Sequence, residues 1–150
     1  MRADKTLVHA VLVLFALAVP QWAAAENSKD VGEYVIHYNA FPSDVLSPQI
    51  SRQYGLARSK ERGILNITVL RKVMGTASQP VSAWVKATAT NLSDQLRSIP
   101  MREIRERNAI YYIAQMRVAD QETLRFNVRV QPIGTKETYT VEFSQQFHTR

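Results

Sequence analysis

From Thr123 to Val130 the chain alternates without a break. Leu124, Phe126, Val128 and Val130 take one phase, and Arg125, Asn127 and Arg129 the other. Successive side chains of a strand point to opposite faces, so the segment fits a strand that is buried on one side and wet on the other. As a helix it would scatter the same apolar residues around the whole circumference. The pattern recurs on both sides. Ala109 to Val118 puts Ile110, Tyr112, Ala114 and Met116 in phase, and Glu137 to Phe147 does the same with Tyr139, Val141, Phe143 and Phe147. Ala119 to Glu122 reads as a hairpin connection, and Pro132 to Lys136 as a turn around Gly134. Leu124, Phe126, Val128 and Phe143 are expected at the centre of the core.

The preceding residues extend this plan. Val31 to Phe41 reads as a strand with Tyr34, Ile36 and Tyr38 on one face and Val35 and His37 on the other. Ser47-Pro48 opens a short helix with a favoured N-cap and first-turn proline, and Gly55 closes it. Ile64 to Lys72 is a second strand, with Leu65, Ile67 and Val69 together. Gly75 to Pro80 is a turn-rich break. Val81 to Thr90 is a third strand, with Ala83, Val85, Ala87 and Ala89 against Trp84, Lys86 and Thr88. Pro100 divides Asn91 to Asn108. Within it Arg102 to Arg107 suits a charged edge strand better than a solvated helical turn. Glu26 to Asp30 is polar and expected to fray. About seven short strands separated by turn signals predict an all-β fold, an antiparallel immunoglobulin-like β-sandwich with one short helix. No alternation of strands with long helices supports a parallel sheet.

The first 25 residues belong to a different physical class. Arg2 and Lys5 precede Leu7 to Val19, which is apolar except for His9. That run is short for a membrane span and suits the core of a signal peptide. Pro20 breaks it, and Ala23 and Ala25 supply the small residues a signal peptidase reads. Two parts are therefore expected: residues 1–25, a cleaved signal peptide, and residues 26–150, a single sandwich domain. No cysteine follows the cut, which excludes a lipid-anchored cysteine. An exported, cysteine-free domain fits the bacterial periplasm better than a disulfide-rich extracellular setting. No second apolar run predicts a transmembrane segment in the mature chain. Export also argues against nucleic acid as a partner, despite a sequence pI near 9.8.

Sites for chemistry are sparse. After residue 25 only His37 and His148 remain as histidines, far apart in sequence, so neither a metal nor another cofactor is expected. Ser43, Ser47 and Ser51 share a loop region with His37 upstream, but no nucleophile elbow accompanies them and Ser47 already has a capping role. Glu103 and Glu106 are flanked by Arg102, Arg105 and Arg107, which reads as a charge-balanced surface rather than the setting of a general acid. Charge is more informative. Lys and Arg number 19 against 13 Asp and Glu in the whole chain. Arg52, Arg58, Lys60, Arg62, Arg71 and Lys72 lie within 21 residues that contain one acid, Glu61. The candidate binding residues are Arg52, Tyr54, Arg58, Lys60 and Arg62. If the stretch is extended, Arg58, Lys60 and Arg62 project from one side of it.

Several strings carry a family likeness: Tyr38-Asn39-Ala40-Phe41, Tyr54-Gly55 followed by Arg58-Ser59-Lys60, Leu65-Asn66-Ile67, Glu103-Ile104, Ala109 to Ala114, and Phe143-Ser144-Gln145-Gln146-Phe147. With them the chain resembles the exported proteobacterial proteins grouped as domain of unknown function 4426 (DUF4426), over essentially all of the mature chain. The resemblance implies an immunoglobulin-like sandwich and a periplasmic address, and it carries no activity. The expected function is a non-catalytic periplasmic module that docks an anionic envelope component, or an acidic envelope protein, through its basic loop. The alternative is an envelope-acting hydrolase with a site near His37 and the Ser43–Ser51 loop.

Overall fold

The computed structural model describes residues 27–150, so the expected signal peptide lies outside the described residues. Those residues form two antiparallel sheets packed face to face, as the alternation requires. In chain order the strands are β1 (Ser28–Val31), β2 (Tyr34–Pro42), β3 (Arg62–Arg71), β4 (Gln79–Pro80), β5 (Ala83–Asn91), β6 (Leu96–Ile99), β7 (Arg102–Arg105), β8 (Ile110–Arg117), β9 (Thr123–Pro132) and β10 (Tyr139–Gln146). One helix, α1 (Pro48–Tyr54), follows a 3-10 turn at Ser43–Val45. The first sheet runs β1-β2-β3-β8-β7, with β4 paired to the end of β3, and the second runs β10-β9-β5-β6.

The extra strands relative to the seven expected are short pieces at corners and edges. Ser28–Val31 is not frayed: it pairs with β2, with Ser28 opposite His37 and Val31 opposite Tyr34. Inside the turn-rich break, Pro80 and Gln79 pair with Leu70 and Arg71, and three residues later Ala83 begins β5 in the other sheet. Pro100 marks a similar corner. β6 before it belongs to the second sheet and β7 after it to the first, as edge strands. A proline offers no N–H to a ladder, so the chain changes sheets where pairing must stop anyway.

Apolar phases meet between the sheets. Ile36, Leu65, Ile67 and Val69 from the first sheet, and Leu124, Phe126, Val128 and Val130 from the second, are almost completely buried. Phe143 differs from expectation, being only partly buried at the rim. Its strand β10 is an edge of the second sheet, so its ring is covered on one side by Phe126, at 5.0 Å between centroids, and on another by Tyr38 of the first sheet, at 4.7 Å. Gly63 is needed for a close approach: a Cβ there would stand 2.8 Å from Phe147 Cε1 and 3.2 Å from Val118 Cγ1.

Candidate binding site around the first helix

α1 forms for the local reasons legible in its sequence. Ser47 Oγ accepts the N–H of Ile50 at 3.2 Å, Pro48 occupies the first turn, and Gly55 caps the end with φ +63°. That left-handed residue turns the chain so that Leu56, buried, packs beneath the helix. The loop beyond is fixed at two points. Ser43 is fully buried; its Oγ donates toward the carbonyls of Ala57 at 2.7 Å and Ser59 at 3.0 Å and accepts the N–H of Ser59 at 3.0 Å. The Gln115 amide on β8 clamps Ala57 from the other side, accepting its N–H at 3.2 Å and donating to its carbonyl at 2.6 Å. A loop held this way loses little entropy when it meets a partner.

Between α1 and the outer face of the first sheet runs a groove of about 370 Å³. Phe41, Leu46, Tyr54, Ile64, Tyr111 and Ile113 give it apolar walls. Asn66 interrupts them. Its Oδ1 is buried without a hydrogen-bond donor among the described residues, and a buried acceptor left this way costs desolvation energy. Gln53 Nε2 donates to Glu106 Oε1 at 3.2 Å across the mouth, and Arg102 donates to the Tyr54 carbonyl.

The five candidate binding residues surround this region without forming one row. Arg52 is exposed in the last turn of α1, and Tyr54 lines the groove. Arg58 donates to the Asp44 carbonyl at 3.1 Å, and Lys60 is exposed. The stretch is not extended as the alternation of Arg58, Lys60 and Arg62 required. The N–H of Arg62 bonds the Ser59 carbonyl at 3.3 Å, and that turn spoils the common projection. Arg62 instead begins β3, directly opposite Arg117 of β8. Ser59, Glu61, Arg62, Arg117 and Val118 border a small concavity of about 150 Å³ there. Arg117 and Asn66 are not marked as site residues by the sequence, whereas Tyr111 is a candidate binding aromatic there and lines the groove. A polar residue in an apolar strand was the only hint at Asn66, and Arg117 enters through register alone.

The hydrolase constellation does not assemble. His37 and Ser43 are six residues apart along an almost continuous strand, or about 20 Å at ~3.3 Å per residue. Ser43, Ser47 and Ser51 all spend their hydroxyls on backbone partners, Ser51 on the Leu56 carbonyl. His37 lies on β2 of the first sheet, whereas His148 follows β10 of the second. No group of three or more potential ligand side chains converges among the described residues.

A family model described as Domain of unknown function (DUF4426) matches residues 28–150. The chain is similar to a solved DUF4426 family protein from Pseudomonas aeruginosa PAO1, with 31% identity and a TM-score of 0.71, covering 83% of this chain and 96% of that one. It also shares its fold with FetP of uropathogenic E. coli strain F11, expressed in the periplasm of E. coli, at 10% identity and a TM-score of 0.58, over 81% of this chain and 93% of that one. A copper-bound variant of FetP aligns at 11% identity and a TM-score of 0.56, over 82% and 95%. No curated protein matches the chain.

Proposed function

The chain belongs to the DUF4426 family, and on that premise we propose that it is a non-catalytic binding module, exported to the periplasm through a cleaved signal peptide at residues 1–25, that docks an anionic envelope component at the loop after α1. The observation that carries this reading is the clamped loop itself. Ser43 and Gln115 hold the backbone on either side of Arg58 and in front of Lys60, so positive charge is presented from a rigid support. Arg62 opposite Arg117 adds two more cations at the base of the loop, with Glu61 as the acid beside them. Two arginines facing each other across a ladder repel, and an anion between them relieves that repulsion. The apolar groove beside the loop suits a ligand that joins an apolar body to its negative charge. No helix among the described residues is long and apolar enough to cross a membrane.

The test is recovery of envelope components by the tagged protein at low and high salt, with wild type and with Arg58→Glu/Lys60→Glu. Wild type should retain an anionic species at low salt and lose it at high salt, because exposed charges are screened beyond about 8 Å at physiological ionic strength. The double reversal should lose it at both while keeping the wild-type melting temperature. Equal recovery by both proteins overturns the reading.

A further inference from the structure

The outer face of the second sheet carries a constellation that the α1 region does not use. Lys86 on β5 stands directly opposite Arg129 on β9. Like charges in that position destabilise a sheet. Elsewhere on this face charge is answered: Arg125 pairs with Asp94 at 3.2 Å, and Glu142 accepts from Asn127 Nδ2 at 2.6 Å. Among the described residues Lys86 and Arg129 have no such partner. Two positions before Lys86, on the same face, Trp84 is 71% exposed and opposite Gln131. Trp84, Lys86, Arg129, Gln131 and Thr138 line one shallow concavity of about 130 Å³.

We propose that this concavity is a binding site for an acidic saccharide. The sugar ring lays its C–H face on the indole of Trp84, whose electron-rich π face attracts polarised C–H bonds. The acidic group sits between Lys86 and Arg129, the arginine fork supplying paired donors and the lysine a mobile charge. An anion there converts the cross-strand repulsion into two attractions. Gln131 Nε2 is already held by the Thr135 carbonyl at 3.0 Å, which leaves its Oε1 to accept from a sugar hydroxyl, with the Thr138 hydroxyl nearby. The charge specifies an anion, and the single flat ring among hydrogen-bonding side chains specifies a sugar rather than an acyl chain, which would need apolar walls. β9 and β5 are the two inner strands of their sheet, so the platform is rigid before any ligand arrives.

Trp22 and Trp84 are the two tryptophans of the chain. In the full chain carrying Trp22→Phe, indole fluorescence therefore reports Trp84 alone. Titration with oligogalacturonate should give a saturable change that weakens as salt rises. A neutral maltooligosaccharide of equal length and inorganic phosphate should each bind at least ten-fold more weakly. Lys86→Gln and Arg129→Gln should each weaken uronate binding ten-fold or more without lowering the melting temperature. Trp84→Ala should abolish the heat of uronate binding in calorimetry. No response to the uronate, an equal response to the neutral sugar, or an equal response to phosphate overturns the proposal. So does self-association of the protein that buries Trp84.

Discussion

The phenolic oxygen of Tyr112 accepts the backbone N–H of Ala83 at 2.7 Å while its hydroxyl donates to Glu103 Oε2 at 2.9 Å. Tyr112 belongs to β8 in the first sheet and Ala83 opens β5 in the second, so this buried contact ties the sheets at the corner where the chain crosses between them. It also gives the Ala83 N–H an acceptor at the start of a strand.

Tyr112→Phe is expected to lose about 1–3 kcal/mol, because the Ala83 N–H is then buried without an acceptor. Urea unfolding measures it. Burial, with the Glu103 hydrogen bond acting in the same sense, raises Tyr112 above the ordinary tyrosine range. Folded protein then holds this proton more tightly than unfolded protein. The contribution of Tyr112 is fully present below about pH 10 and is lost as pH rises through its folded value. The phenylalanine variant should show a flatter decline above pH 10, and identical alkaline profiles would remove Tyr112 as the cause.

Phe126 and Phe143 are partners across β9 and β10, but they are not equivalent. Phe126→Ala empties a fully buried position and should cost about 3–5 kcal/mol. Phe143→Ala should cost clearly less, since its ring is partly exposed. Thermal melts of both variants rank them, and a larger loss at Phe143 would show that the rim carries the packing.

Gly63→Ala tests the close approach to Phe147. The new methyl meets a ring carbon at 2.8 Å and a buried valine at 3.2 Å, so β3 or the C-terminal segment must shift. Overpacking of this kind costs about 1–3 kcal/mol. An unchanged denaturation midpoint would mean that Phe147 swings away freely.

Ser43→Ala separates a latch from a nucleophile. Removing Oγ breaks the bonds to Ala57 and Ser59 together, and the loop should open. Hydrogen exchange at the Ser59 amide should accelerate at least ten-fold, while binding at the basic loop weakens through lost pre-organisation. Retained protection at Ser59 would show that Gln115 alone suffices to hold the loop.

Much of this molecule was legible one residue at a time. Period-two alternation is a local consequence of backbone geometry, so it placed the interior phases of β2, β3, β5, β8 and β9 correctly. The cap at Ser47, Pro48 and Gly55 is equally local, because a helix terminus is satisfied by its nearest neighbours. The basic character of residues 52 to 72 needed only counting. β4 and β6 were not legible, since two residues carry no alternation and β6 buries only its last residue, Ile99.

What the tertiary structure alone decided is which separate residues face each other. Arg62 opposite Arg117 and Lys86 opposite Arg129 follow from register, which pairs residues more than 40 positions apart and leaves no trace in either strand by itself. The groove under α1 exists because a glycine cap and a buried serine bring residues 41, 54, 66 and 111 to one place. Phe143 has the same alternating phase as Phe126, yet its burial was set by its strand being an edge. Phase is determined by the peptide backbone within a strand, whereas neighbours, edges and cavities are determined by how strands assemble.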